Sequence, residues 1–68
     1  MQKELQEYLN RADPKDLANC LKENFNEPNQ DRHFKMLSGL YFNDKPHFKS
    51  LSNGCKAAAL IYIIVRSK

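Results

Sequence analysis

The chain has no tryptophan, two glycines, two cysteines, three prolines and no long apolar run. Each shortage removes a class of protein. Gly39 and Gly54 lie too far apart to build a glycine-rich loop that cradles a phosphate. Cys20 and Cys55 allow at most one bridge, so a disulfide-dense secreted scaffold is excluded. Cys20 falls among apolar helix positions and Cys55 at the start of the apolar block. Both read as free thiols acting as small buried hydrophobes, and a reducing, cytoplasmic compartment is expected. There are no repeats and no low-complexity tracts.

The longest apolar stretch is Ala57 to Val65, nine residues between Lys56 and Arg66. As a helix it spans about 14 Å at about 1.5 Å per residue. A bilayer core is about 30 Å thick and needs about 20 such residues, so a membrane span is excluded. The N-terminus, Met1-Gln-Lys-Glu-Leu-Gln-Glu, is too polar for a secretory signal.

What is present points to one small helical domain over residues 1–68. Hydrophobic content of 41% with so little glycine suits a compact helical chain better than a disordered one. A chain of 68 residues has no room for a deep cleft roofed by a second domain, which weighs against an enzyme with several substrates.

Helical periodicity appears in three segments before the apolar block. Leu5, Tyr8 and Leu9 lie at i, i+3, i+4 over residues 2–12. Asp13-Pro14-Lys15-Asp16 reads as a helix start, with Asp13 as N-cap and Pro14 in the first turn. The second helix then carries Leu17, Cys20, Leu21 and Phe25 on one face. Residues 26–30 are polar and broken by Pro28. A third helix runs from Asp31 to about Phe42, striped by Phe34, Leu37 and Tyr41. Gly39 inside it costs about 1 kcal/mol against alanine, and a tight helix crossing would account for it. Residues 47–51 follow the turn at Asn43 to Pro46 and have length for one more helical turn.

The apolar block itself has mixed propensity. Ile61, Ile63, Ile64 and Val65 favour a strand, and Ala57 to Ala59 favour a helix. Partnership decides. A strand needs a ladder for its backbone groups, and no second strand is evident. The expectation is an all-α domain of about four short helices, the last one (about 54–66) apolar and central. The alternative is a strand paired with its own copy in a homodimer.

Charge is distributed unevenly. Residues 1–30 carry four basic and six acidic side chains, net −2, whereas residues 31–68 carry seven and two, net +5. Such asymmetry fits an acidic partner or ordinary solvated helix faces. Lys45, His47, Lys49, Lys56, Arg66 and Lys68 are the cations from which a nucleic-acid surface would be built. A helix-turn-helix is excluded. A turn at Gly54 would present an apolar recognition helix, and one at Gly39 would put Pro46 where a packed helix is required.

Catalytic and metal chemistry find no motif. Cys20, His33, His47 and Cys55 are spaced unlike any zinc pattern, which pairs its ligands closely. No nucleophile elbow is present, and the close carboxylates, Glu4 with Glu7 and Asp13 with Asp16, have capping or solvation roles. No catalytic residue, metal, cofactor or small-molecule substrate is therefore expected. The best reading is a small non-catalytic intracellular protein that works as a modulator or accessory factor by binding a protein partner. The residues offered for that are Met36, Phe42 and Phe48, apolar positions off the expected core stripes. A homodimer would shield surplus apolar area in so small a core. The alternative is a small basic DNA-binding regulatory protein using the C-terminal half.

Overall fold

The computed structural model describes residues 1–67; Lys68 lies outside the described residues. Five helices follow in chain order: α1 (Gln2–Arg11), α2 (Pro14–Asn26), α3 (Gln30–Asn43), α4 (Lys45–Lys49) and α5 (Asn53–Arg66). The fold is all-α, with α5 at its centre, and the strand alternative for the apolar block is overturned. The extra turn expected over 47–51 is α4, but it starts earlier, at Lys45, and takes Pro46 into its first turn.

The helix boundaries follow from punctuation. Pro14 opens α2, with Asp13 at the N-cap position, although the Asp13 side chain makes no capping hydrogen bond. Asp44 caps α4 by accepting from the His47 backbone N–H at 3.4 Å. Ser52 caps α5 by accepting from the Cys55 N–H at 3.1 Å. Ser50 and Ser52 frame the two-helix corner, and the Ser50 hydroxyl closes α4 by donating to the His47 carbonyl at 2.6 Å.

The centre of α5 carries the core. Ala57, Ala58, Ala59, Leu60 and Tyr62 are wholly removed from solvent, and Ile63 almost so. The alanines let neighbouring helices approach, and α5 packs most closely on α2, then α1, then α3. Leu37, Tyr41 and Phe48 complete the cluster, with Leu5, Tyr8, Phe34, Leu40 and Leu51 partly buried against it. Aromatic edges knit the layers. Phe48 takes Tyr41 at 5.2 Å and Tyr8 at 6.1 Å, and Tyr62 takes Phe25 at 5.1 Å and Phe34 at 6.1 Å. The Tyr62 hydroxyl donates to the Gln30 carbonyl at 2.9 Å, so the buried phenol is satisfied at the start of α3.

Three expectations are corrected. Phe48 is 0% exposed, so it is a core plug under α1, α3 and α5 and leaves the docking set. Phe25, expected on a core stripe, is 36% exposed and shields only the edge of Tyr62. The tight crossing is not at Gly39, where a β-carbon would meet nothing within 4 Å. It is at Gly54, where a β-carbon would stand 2.9 Å from the Leu17 backbone nitrogen and collide with the Asp16 carboxylate. Neither glycine has positive φ, so space alone makes the difference.

Candidate functional site

A groove with apolar walls is present among the described residues. It lies where α2, α3 and the α4–α5 corner meet, has a volume of about 350 Å³, and is lined by Leu37, Leu40, Leu51 and Met36. Its lining is completed by the polar residues Glu23, Asn24, His33 and His47 and by Cys20 and Cys55. Wider depressions beside the α2–α3 loop are lined mainly by charged and amide side chains such as Glu27, Asn29, Arg32 and Asn26.

The groove exists because α3 contributes two kinds of residue to one side. Leu37 turns into the core, Leu40 is half-buried, and Met36 beside them is 52% exposed. The wall between α2 and α3 is held by a polar tie. Asn24, the buried polar residue of the core, accepts at Oδ1 from His33 Nε2 at 2.7 Å, which puts the imidazole proton on Nε2. His33 also lies 5.8 Å from Tyr62, ring to ring, so this tie fixes the groove's back edge to the core.

The three residues offered for protein binding do not form one patch. Phe48 is buried. Met36 and Phe42 are both exposed, but they lie six residues apart on α3, about 120° around the helix. Met36 stands on the groove. Phe42, 60% exposed, stacks its edge on Tyr41 at 4.9 Å on another face.

The cations offered for nucleic acid are largely engaged within the chain. Lys45 reaches the Glu4 carboxylate at 3.4 Å and covers the Tyr41 ring at 3.6 Å. Lys56 covers the Tyr8 ring at 4.7 Å and donates to the Lys49 carbonyl at 3.5 Å. His47 lies 3.7 Å from Asp44, and Arg66 pairs with Asp31 at the start of α3. Lys45 and Lys56 thus border α1, whereas Arg66 is held against α3. Lys45–Glu4 joins the basic half of the chain to the acidic one, whereas Arg66–Asp31 is a pair within the basic half.

Glu4 and Tyr41 form the main polar link of α1 to α3. The Tyr41 hydroxyl donates to Glu4 Oε1. That hydrogen bond holds the Glu4 carboxyl below its ordinary value; partial burial opposes it and the Lys45 charge adds to it. Burial, followed by the bond to Glu4, pushes Tyr41 up to about 12. Both shifts describe a structural tie.

A second cluster went unseen in the sequence. Asp16, Cys20 and Cys55 bring a carboxylate oxygen and two thiols within 4.8 Å of one another. Asp16 and Cys20 lie at i, i+4 on α2, a spacing visible in the sequence, but the arrival of Cys55 depends on the Gly54 crossing. Both cysteines are free; Cys20 is buried as expected, whereas Cys55 is only half-buried.

Among the described residues no helix is long and apolar enough to cross a membrane. Comparison with protein-family models, with curated proteins and with solved structures found no match, so the functional argument rests on the groove and the side chains around it.

Proposed function

We propose that this protein acts by binding, without catalysis, as a modulator or accessory factor whose groove between α2, α3 and the α4–α5 corner receives an apolar segment of a protein partner. The observation that carries this reading is Met36, half-exposed on the lip of an apolar groove walled by Leu37, Leu40 and Leu51. Apolar area removed from water contributes about 25 cal/mol per Å², and methionine's unbranched, polarizable side chain adapts to irregular surfaces. Glu23, His33 and His47 in the lining supply polar groups that orient a segment without filling the groove. The neighbouring free thiols fit a reducing cytoplasm.

The nucleic-acid reading has less support from the arrangement, because Lys45 and Arg66 are paired with carboxylates and lie against different helices.

The test is affinity capture from the native cell extract with wild type, Met36→Asp and Phe42→Asp, each first checked for helicity. A partner lost with Met36→Asp and kept with Phe42→Asp supports the groove. Retention by Met36→Asp removes the groove from consideration, and loss only in Phe42→Asp moves the contact to the Phe42 face of α3. Sedimentation of the purified chain separates capture by a partner from self-association.

A further inference from the structure

The four soft donors of this chain, Cys20, His33, His47 and Cys55, have no zinc-like spacing, yet all four line the same groove. Beside the groove's two cysteines stands Asp16, and the donor atoms of Asp16, Cys20 and Cys55 lie within 4.8 Å of one another. Two come from one helix face at i, i+4 and the third from the first turn of a crossing helix. Metal sites inside helical bundles are assembled in this way, from facing helices. Tetrahedral zinc, with sulfur at about 2.3 Å and carboxylate oxygen at about 2.0–2.2 Å, sets its donors about 3.5–3.8 Å apart. Small side-chain rotations bring the three atoms to that spacing.

The surroundings suit a cation. Asp16 Oδ2 accepts from the Ser52 hydroxyl at 2.6 Å, which orients the carboxylate and leaves Oδ1 facing Cys20 Sγ at 3.8 Å. Ser52 is the kind of outer hydrogen-bonding partner that steadies a carboxylate ligand.

We propose that Asp16, Cys20 and Cys55 form a binding site for a thiophilic divalent cation of the zinc type, with a water from the groove as fourth ligand. On binding, each thiol gives up its proton to solvent. Two sulfur–metal bonds and one oxygen–metal bond form, and two protons leave per ion, with no change of oxidation state. The ion ties α2 to α5 at the Gly54 crossing and stabilises the folded chain in proportion to its free concentration. This site is independent of the docking reading.

The experiment uses the full chain, reduced and kept under nitrogen, titrated with Co²⁺ and then with Zn²⁺. The expected result is a saturable spectrum at one ion per chain, with thiolate-to-cobalt charge-transfer absorption and tetrahedral d–d bands, displaced by Zn²⁺. Cys20→Ala and Cys55→Ala abolish the charge-transfer absorption, and Asp16→Asn lowers affinity by at least about tenfold. Ser52→Ala removes the same hydrogen bond from Asp16 but keeps every ligand, so it retains the bands and separates ligand loss from a loosened α5. Circular dichroism confirms that each variant is folded. The proposal is overturned by a folded, reduced wild type with no saturable cobalt spectrum. It is equally overturned by a spectrum that survives loss of both cysteines, by unchanged affinity in Asp16→Asn, or by air closing the pair to a disulfide whose reduced form takes up no metal.

Discussion

Gly54 and Asp16 meet where the first turn of α5 crosses the start of α2, and the space a β-carbon would need at Gly54 is taken by the Asp16 carboxylate. Ser52, two residues earlier at the N-cap of α5, donates to the same carboxylate, which also lies by the positive end of α5. This corner sets how deeply the central helix seats.

The two glycines therefore respond oppositely to alanine. Gly54→Ala forces a backbone shift at Leu17 and lowers stability by about 1–3 kcal/mol, the usual range for overpacking. Gly39→Ala meets nothing within 4 Å in the middle of α3 and raises stability by about 0.5–1 kcal/mol. Urea unfolding of the two variants against wild type checks both signs, and equal effects would remove the crossing from its place at Gly54.

Phe48 and Phe42 diverge in the same way. Truncating Phe48, wholly buried between Tyr8, Tyr41 and the α5 core, costs about 3–5 kcal/mol. Phe42→Ala, at a position 60% exposed, stays within about 0.5 kcal/mol. The pair is read by thermal melts at one concentration. Both were offered from the sequence as binding residues, and burial removes Phe48 from that set.

The Tyr41–Glu4 tie makes stability depend on pH at both ends. Glu4 titrates below its ordinary 4.5 in the folded chain, so its contribution is present above that value and lost as pH falls through the lowered one. Tyr41 is raised from 10.0 to about 12, so its contribution is full below 10.0 and lost as pH rises through about 12. Cys20, raised from 9.0 to about 12, acts in the same alkaline direction. In Tyr41→Phe both limbs of the melting-temperature curve flatten, with the residual alkaline slope left to Cys20 and Tyr8. An unchanged acid limb would mean that Tyr41 does not hold the Glu4 carboxyl down.

The two thiols differ in access. Cys55 is half-buried in the groove's lining, whereas Cys20 is 8% exposed, with its thiol pushed up to about 12, first by burial. At neutral pH an alkylating reagent labels Cys55 first in the native protein, and Cys20 reacts at an appreciable rate only when the chain opens. Mass spectrometry of the peptides around each cysteine, with and without urea, checks the order; simultaneous labelling in native buffer contradicts it.

Much of the helical architecture was legible along the chain because its signals are local. Pro14 after Asp13, the broken stretch around Pro28, the Asn43 to Pro46 turn and Ser52 before the apolar block mark real boundaries. The stripe of Phe34, Leu37 and Tyr41 does face the core. The candidate site was legible only in part. Met36 could be named as an apolar residue off the stripe, but the groove beside it forms between three elements. Asn24 gave no warning of its buried tie to His33, because an asparagine on an amphipathic helix is ordinarily solvated.

Sequence alone determined that the chain is helical, that Ala57 to Val65 is too short for a bilayer and that it must be the centre of any core, since propensity, capping and apolar periodicity act over a few residues. Tertiary structure decided which residues meet. It set Lys45 against Glu4 of the acidic half and Arg66 against Asp31 within its own half. It buried Phe48, left Met36 beside a groove, and carried Cys55 to Asp16 and Cys20. The physical reason is packing: helices approach where side chains are absent or small, and the crossing at Gly54 and the alanine surface of α5 fix those approaches only once the helices are stacked.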